Sequence, residues 1–98
     1  MKKAIYAQKA EAIISRLDLF ENDFMEQDNI DPLYNIAEDL ELLLFKFSRF
    51  YPSLYEIRKA KVRIVVNRRM IGDFDVDKRS ISSLRIIALK FIDFLKDE

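Results

Sequence analysis

Residues 31 to 52 read DPLYNIAEDLELLLFKFSRFYP, and this stretch has the best-marked helix start in the chain. Asp31 is a favourable helix cap, and Pro32 suits the first helical turn, where its missing N–H costs nothing. Apolar side chains then recur mostly three and four residues apart, which is the helical period. They are Leu33, Ile36, Leu40, Leu43, Leu44, Phe47 and Phe50. Proline does not continue a helix, so Pro52 is predicted to end it. The stretch therefore predicts an amphipathic helix with one broad apolar face.

Three further stretches show the same period. The first is predicted to run from about Ala4 to about Met25. The third opens in a capping box, in which Ser53 and Glu56 each bond a free backbone N–H. The fourth is capped by Asp75 or Asp77. Their apolar stripes are Ile5, Ala12, Ile13, Leu17, Phe20 and Phe24; Ile57, Ala60, Ile64 and Ile71; and Ile81, Leu84, Ile87, Ala88, Phe91, Phe94 and Leu95.

Four amphipathic helices joined by short connections predict one fold class. We expect an all-α protein, a single antiparallel four-helix bundle over residues 1–98. The most buried side chains should be Leu40, Leu44, Phe47, Ile64, Leu84, Ile87, Ala88 and Phe91.

The third stretch also admits a strand. Residues 61 to 66 are rich in β-branched side chains, and residues 73 to 76 would be the hairpin partner. A lone two-stranded ribbon is marginally stable in water. The capping box at Ser53 and the stripe through Ile57, Ala60 and Ile64 favour a helix.

Composition limits the function classes. The 98 residues contain no His and no Cys, and 17 basic side chains balance 17 acidic ones. A neutral chain does not have the basic signature of nucleic-acid binding. No window approaches the ~18 uncharged apolar residues that a membrane span needs. The absence of cysteine is typical of a cytosolic protein, so we expect a soluble, cytoplasmic one.

Chemistry-bearing residues are scarce. The chain lacks the imidazole and thiol groups that most often supply bases and nucleophiles. Acidic residues gather in two places: Glu21, Asp23, Glu26, Asp28 and Asp31, and then Asp73, Asp75 and Asp77. Oxygen ligands of this kind suit Ca²⁺ or Mg²⁺, but the glycine and distal Glu of an EF-hand loop are missing. We therefore predict no catalytic residue, no metal and no cofactor, and a protein that is not an enzyme.

A run of cations is the first candidate for function. Six basic residues with no acid between them occupy the third stretch: Arg58, Lys59, Lys61, Arg63, Arg68 and Arg69. Clustered like charges focus the local potential and attract anionic partners. The alternative is a solvated face whose cations pair with acids on neighbouring helices.

Aromatic residues crowd the corner between the second and third stretches. They are Phe45, Phe47, Phe50, Tyr51 and Tyr55. An exposed aromatic patch would mark a binding surface, whereas a buried one would close the end of the core. We expect Phe47 and Phe50 to be buried and Tyr51 and Tyr55 to be partly exposed.

The layout resembles that of the immunity proteins that protect Gram-positive bacteria from their own pediocin-like (class IIa) bacteriocins. The resemblance lies in a Lys-rich start, a charged first helix, an apolar second helix and a cationic third helix. Its most specific stretch runs from Arg58 and Lys59 through Arg68, Ile71, Phe74 and Val76 to the helix of Leu84. The resemblance implies a cytoplasmic four-helix bundle that confers resistance to the antimicrobial peptide without being an enzyme.

The resemblance also implies a partner and a place of action. Members of that family are understood to bind the bacteriocin on its receptor, the membrane part of the mannose phosphotransferase system, from the cytosolic side. From the cationic run and the aromatic corner, the residues that we expect to bind a partner are Arg58, Lys61, Arg63, Arg68 and Arg69, with Tyr51 and Tyr55 beside them. A cationic, aromatic-edged helix is compatible with work at the inner face of the membrane, near anionic lipid.

Two other functions stay open at this point. One is a generic helical interaction module, such as an adaptor, an antitoxin-like partner or a homodimer that pairs through its second and third helices. The other is nucleic-acid binding through the third helix, for which a steep loss of affinity with salt would be diagnostic.

Overall fold

The computed structural model describes residues 3–22 and 31–97. Within them the chain forms the helices α1 (Lys3–Asn22), α2 (Asp31–Leu44), α3 (Tyr51–Val66) and α4 (Phe74–Lys96). A 3₁₀ turn, Ser48–Phe50, leads into α3, and a π-helical turn, Asn67–Ile71, follows it. Both α1 and α3 pack against α2 and α4, and α2 also meets α4 across the centre. The predicted all-α four-helix bundle is confirmed, and the strand alternative for residues 61–66 is wrong because they belong to α3.

Most of the buried apolar side chains belong to the predicted stripes. Of the eight side chains expected to be most buried, all are buried except Phe47, which is half-buried. Helix α1 departs most from its prediction, since Ile5 and Ala12 are exposed and Ala10 is buried instead. The predicted end of the first helix, with Phe24 and Met25, lies outside the described residues.

The second helix ends earlier than predicted. Its first residue is Asp31, which was predicted as the cap just outside the helix, and Pro32 also lies in the first turn. Its last residue is Leu44 rather than one beside Pro52. Phe47 has an extended backbone, with φ −126° and ψ 104°, which ends the helical path. This conformation places the Phe47 ring 5.2 Å from the ring of Tyr6 and 5.0 Å from that of Phe91. Edge-to-face aromatic packing with α1 and α4 thus prevails over continuation of the helix.

The third helix starts two residues before the predicted cap. Tyr51 is its first residue, and Ser53 lies inside the first turn, so the capping box at Ser53 and Glu56 is wrong. The cap position is Phe50, whose side chain makes no capping hydrogen bond. Pro52 accounts for the shift, because proline is favoured in a first turn, where its missing N–H is not needed. Pro52 therefore helps to start α3 rather than to stop α2.

The fourth helix is capped by Asp73, not by Asp75 or Asp77. The Asp73 carboxylate accepts a hydrogen bond of 2.9 Å from the N–H of Asp75, while Asp75 and Asp77 lie in the first turn. Carboxylates there are stabilised by the positive end of the helix dipole. Gly72 precedes the cap at φ +67°, a left-handed conformation that glycine adopts without steric cost. Its N–H donates to the carbonyl of Asn67 over 2.6 Å, which closes the π turn.

Candidate functional site

The outward side of α3 carries a row of exposed apolar side chains. The row consists of Tyr51, Tyr55, Val62, Val66 and Met70. Its members lie four or seven residues apart, and residues at those spacings share one face of a helix. The side chain of Val62 is 62% exposed and that of Met70 is 81% exposed, so neither belongs to the core. This surface, together with the basic residues Arg58, Lys59, Arg63 and Arg69 beside it, is called the α3 face below.

The basic residues of α3 divide into two groups. Arg58 and Lys61 share one carboxylate on α2. Glu41 accepts a hydrogen bond of 2.7 Å from Arg58 Nε and one of 2.9 Å from Lys61 Nζ. Arg63, Arg68 and Arg69 have no carboxylate within salt-bridge distance among the side chains described in residues 3–22 and 32–97. The prediction of a cationic face and the alternative of intramolecular pairing thus each describe part of the helix.

Lys61 corrects the predicted site. Its side chain is only 17% exposed, because it points toward α2 and lies 5.1 Å from the ring centroid of Tyr34. Its hydrogen bond to Glu41 raises the pKa of Lys61 above its ordinary value, against the opposing effect of burial. Lys61 therefore stabilises the packing of α3 on α2 and is not an exposed member of the α3 face.

Glu41 is the acceptor that joins these two helices. Burial raises its pKa, but the hydrogen bonds from Arg58 and Lys61 outweigh that effect and leave the pKa of Glu41 below its ordinary value. The Glu41 side chain is largely covered, whereas that of Arg58 remains 60% exposed. Arg58 is thus anchored at its Nε and still presents the rest of its guanidinium to solvent.

The remaining predicted residues lie on or beside the α3 face. Arg69 is exposed, while Arg63 and Arg68 are half-buried. Arg63 Nε lies 3.4 Å from Ser80 Oγ on α4, a long hydrogen bond that leaves its charge without a carboxylate.

Both predicted tyrosines are partly exposed, as expected. Tyr51 lies beside the exposed ring of Phe45, with 6.1 Å between the ring centroids. Lys59 Nζ lies 4.5 Å from the ring centroid of Tyr55 and 3.9 Å from Glu56. Tyr55 and Lys59 therefore form one contiguous part of the α3 face.

Two shallow grooves flank Val62. One, of about 370 Å³, is lined by Tyr34, Arg58, Lys61, Val62, Val65 and Val66. The other, of about 480 Å³, is lined by Tyr55, Arg58, Lys59, Val62 and Arg63. Val62 is thus a low apolar ridge between two depressions whose rims carry positive charge.

The end of the α3 face is fixed by a buried polar cluster. Asn67 donates to the Asp73 carbonyl over 2.9 Å and to Asp77 Oδ1 over 2.8 Å, and it accepts from the Asp73 N–H. Asn67, Asp77 and Ser80 are all buried. Because these bonds tie the π turn to the first turn of α4, they set the position of the next residues, Arg68, Arg69 and Met70.

A larger groove lies between α1 and α2, outside the predicted site. It has a volume of about 530 Å³, and exposed Leu42 and Phe45 contribute to its lining. Arg16 and Asp39 pair across it at 2.6 Å. The charge of Arg16 is therefore neutralised within the chain, in contrast to the charges of the arginines at the end of α3.

The acidic candidates do not gather into a metal site in the described part of the chain. Asp23, Glu26 and Asp28 lie outside the described residues, while Glu21 is 3.3 Å from Arg85. Asp73 and Asp77 are engaged in the cap and in the Asn67 cluster. The Asp31 side chain also lies outside the described part, and among the side chains described in residues 3–22 and 32–97 no three acidic groups are placed to share an ion.

Comparisons with known proteins leave the function to be argued from this surface. No protein-family model matches the chain, and neither does any curated protein or solved structure. Among the described helices, none combines the length and apolar character needed to cross a membrane.

The apolar half of the α3 face was missed in the sequence. Val62 and Val66 belong to the β-branched run that also suggested a strand, and this obscured their place opposite the buried stripe of Ile57, Ala60 and Ile64. The available signal was a pair of apolar residues four apart, set among cations on the polar side of a helix. The role of Glu41 had no such signal, because it depends on the register of α2 against α3.

Proposed function

We propose that this protein is a non-enzymatic binding protein that docks on a protein partner through the α3 face. The observation that carries this proposal is the row of exposed apolar side chains, from Tyr55 through Val62 to Met70, bordered by arginines without carboxylate partners among the described residues. Exposed apolar patches rimmed by polar residues are typical of protein-binding surfaces. Aromatic residues, Met and Arg are also the types enriched in such interfaces.

We propose further that the partner is a pediocin-like bacteriocin bound to its mannose phosphotransferase receptor, and that the protein acts from the cytosolic side as an immunity protein. Two features support this function. The layout of the helices resembles that family, and the surface that the resemblance implies, on the third helix, is the cationic and apolar α3 face. Docking next to the membrane would be favoured by the positive potential of Arg58, Lys59, Arg63 and Arg69, because the cytoplasmic leaflet is anionic.

The experiment that tests this function is protection. The gene is expressed in a strain sensitive to pediocin-like peptides, and survival is measured against a panel of such peptides, with the empty vector as control. The proposal predicts survival against at least one peptide of the panel and sensitivity to an unrelated pore-forming peptide. Equal killing with and without the protein, at matched levels of folded protein, would reject the immunity function.

The second candidate is a generic helical interaction module, such as an adaptor or an antitoxin-like protein. The same α3 face favours it, since an exposed apolar row requires a partner but does not specify a bacteriocin. A homodimer through this face is disfavoured, because two copies would bring arginines against arginines. Sedimentation of the purified protein distinguishes a homodimer from a monomer, because the homodimer has twice the mass.

A further inference from the structure

We infer that the α3 face binds an acidic amphipathic helix of a partner protein, laid along α3 over Val62. The inference rests on the proposed function only in taking the α3 face as the docking surface. It adds the chemistry of the partner: apolar side chains on the contacting stripe, and Asp or Glu on both sides of that stripe.

The shape of the surface favours a helix. Val62 rises between grooves of about 370 and 480 Å³. Side chains on a helix form ridges, which pack into the grooves of a facing helix. The planar surface of a lipid bilayer does not fill depressions on both sides of a ridge. The two grooves therefore favour a partner with discrete side chains at helical spacing.

The length of the surface suits the same partner. The apolar row runs from Tyr51, the first residue of α3, to Met70 in the π turn. At ~1.5 Å per residue this is about 28 Å, the length of a helix of five turns. Within the row, Val62 lies seven residues after Tyr55 and four before Val66. Residues at such spacings recur along the contact line of two helices that pack side by side.

The charge of the surface favours an acidic partner. Lys59 and Arg63, four residues apart, lie on one side of Val62, and Arg69 is exposed near the end of the row. Arg63 and Arg69 have no carboxylate partner among the described residues. The guanidinium fork of arginine matches the geometry of a carboxylate, and such charge-assisted bonds are stronger than neutral ones.

Helix α2 already shows this mode of recognition on the other side of α3. A single carboxylate of α2, that of Glu41, accepts hydrogen bonds from both Arg58 and Lys61. Those two cations lie three residues apart, and Lys59 and Arg63 offer a similar pair on the outer side. A partner helix with Glu at the facing position would repeat there the contact that α2 makes within the chain.

The test uses a synthetic peptide of about 20 residues, long enough to cover the apolar row. The peptide carries Leu on one helical stripe and Glu on both sides of it. Two control peptides replace every Glu by Lys or scramble the order. Binding to the whole protein is measured by fluorescence anisotropy at low and at high salt. We expect the acidic helix to bind at least about tenfold more tightly than either control, and less tightly at high salt, because the contact is electrostatically complementary.

Matched variants locate the site. Val62→Glu with Arg69→Glu places two carboxylates on the α3 face, at positions exposed to solvent. Leu89→Glu with Lys90→Glu makes the same chemical change on the exposed side of α4. We expect the first double variant to lose more than about tenfold in affinity for the acidic peptide, and the second to bind as the unmodified protein does. Circular dichroism verifies that both remain folded.

Several results would overturn the inference. They are equal binding of the Lys peptide, no binding of the acidic peptide, and equal losses in the two double variants. Binding to phosphatidylglycerol vesicles without binding to the acidic peptide would assign the surface to lipid instead. If the acidic peptide binds at the α3 face but the protein does not protect cells, the immunity function fails and this inference stands. If protection depends on the α3 face but the acidic peptide does not bind, the docking surface stands and the partner chemistry is wrong.

Discussion

Asn67 and Asp77 are joined inside the protein by a hydrogen bond of 2.8 Å between Asn67 Nδ2 and Asp77 Oδ1. Both residues are only 3% exposed. Asn67 also bonds the N–H and the carbonyl of Asp73, so one side chain ties the π turn to the start of α4. The pair thus links the end of the candidate site to the first turn of α4.

Replacement of Asn67 should destabilise the protein strongly. We expect Asn67→Ala to lower the free energy of unfolding by about 2–3 kcal/mol, because it leaves the buried Asp77 carboxylate without this donor. Urea denaturation measures the change, and Asn35→Ala, an exposed asparagine on α2, should change it by less than about 0.5 kcal/mol. A double-mutant cycle with Asp77→Ala should give a coupling energy above ~0.5 kcal/mol. Additive losses would show that the two side chains do not act together.

Gly72 tests the left-handed turn between α3 and α4. Gly72→Ala should cost about 1–2 kcal/mol, since a side chain at φ +67° is strained. The cost is one of backbone conformation, because a Cβ at this position would meet no atom within 4 Å beyond its own chain neighbours. Gly72→Asn should cost less, as asparagine adopts this conformation more readily. Equal thermal stability of the alanine variant and the unmodified protein would show that the turn has another conformation.

Replacement of a clustered aromatic side chain by alanine should destabilise the protein more, the more deeply that side chain is buried. Phe91 is fully buried and contacts the rings of Phe47, Phe50 and Phe94. Phe91→Ala is expected to cost about 3–5 kcal/mol, and Phe47→Ala less, because Phe47 is half-buried. Phe45→Ala, at a largely exposed ring, should stay within about 0.5 kcal/mol. An inverted order in urea denaturation would contradict the packing described here.

The buried stripes could be predicted from sequence, and the ends of the helices could not. The period of Leu33, Ile36 and Leu40 reports burial wherever a helix packs on one side, so the core and the fold class followed from it. The end of α2 depends instead on the extended conformation of Phe47, which is stabilised by rings on α1 and α4. The start of α3 was misplaced because two local signals compete there. Pro52 favours a helix start at Tyr51, whereas the capping box at Ser53 favours a later start.

The candidate site could be predicted only in part, because it also depends on contacts between helices that are distant in sequence. A cationic third helix is evident in the order of the residues, but the partners of its cations are not. Glu41 lies 17 residues from Arg58 and 20 from Lys61, and it reaches both only because α2 packs beside α3. That contact covers most of the Lys61 side chain, whereas Arg63 and Arg69 have no carboxylate partner among the described side chains. The exposed row through Val62 was hidden by a β-branched composition that is equally typical of a strand.

Glu41 should make stability depend on pH in the acid range. Its pKa in the folded protein lies below its ordinary value of 4.5, so its ionised form stabilises the fold above that pH. This stabilisation is lost as the pH falls through the lower, folded value. Urea denaturation from pH 7 downward should therefore show a steeper loss for the unmodified protein than for Glu41→Gln.

At neutral pH, Glu41→Gln should lower the free energy of unfolding by about 1–3 kcal/mol, because the half-buried ammonium of Lys61 loses its carboxylate. The matched control is Asp39→Asn, which breaks the exposed pair with Arg16 and should cost only ~0–1 kcal/mol. Parallel pH profiles for Glu41→Gln and the unmodified protein would show that the Glu41 contact does not form in solution.

We have proposed that the protein acts by docking through the α3 face. The most direct measurement is protection of a sensitive strain by Val62→Glu/Arg69→Glu, compared with Leu89→Glu/Lys90→Glu and with the unmodified protein. The thermal denaturation midpoint and the amount of folded protein are measured alongside for all three. We expect the α3 double variant to remain folded and to lose protection, while the α4 double variant protects as the unmodified protein does. Full protection by a folded α3 double variant would show that the protein does not act through the α3 face.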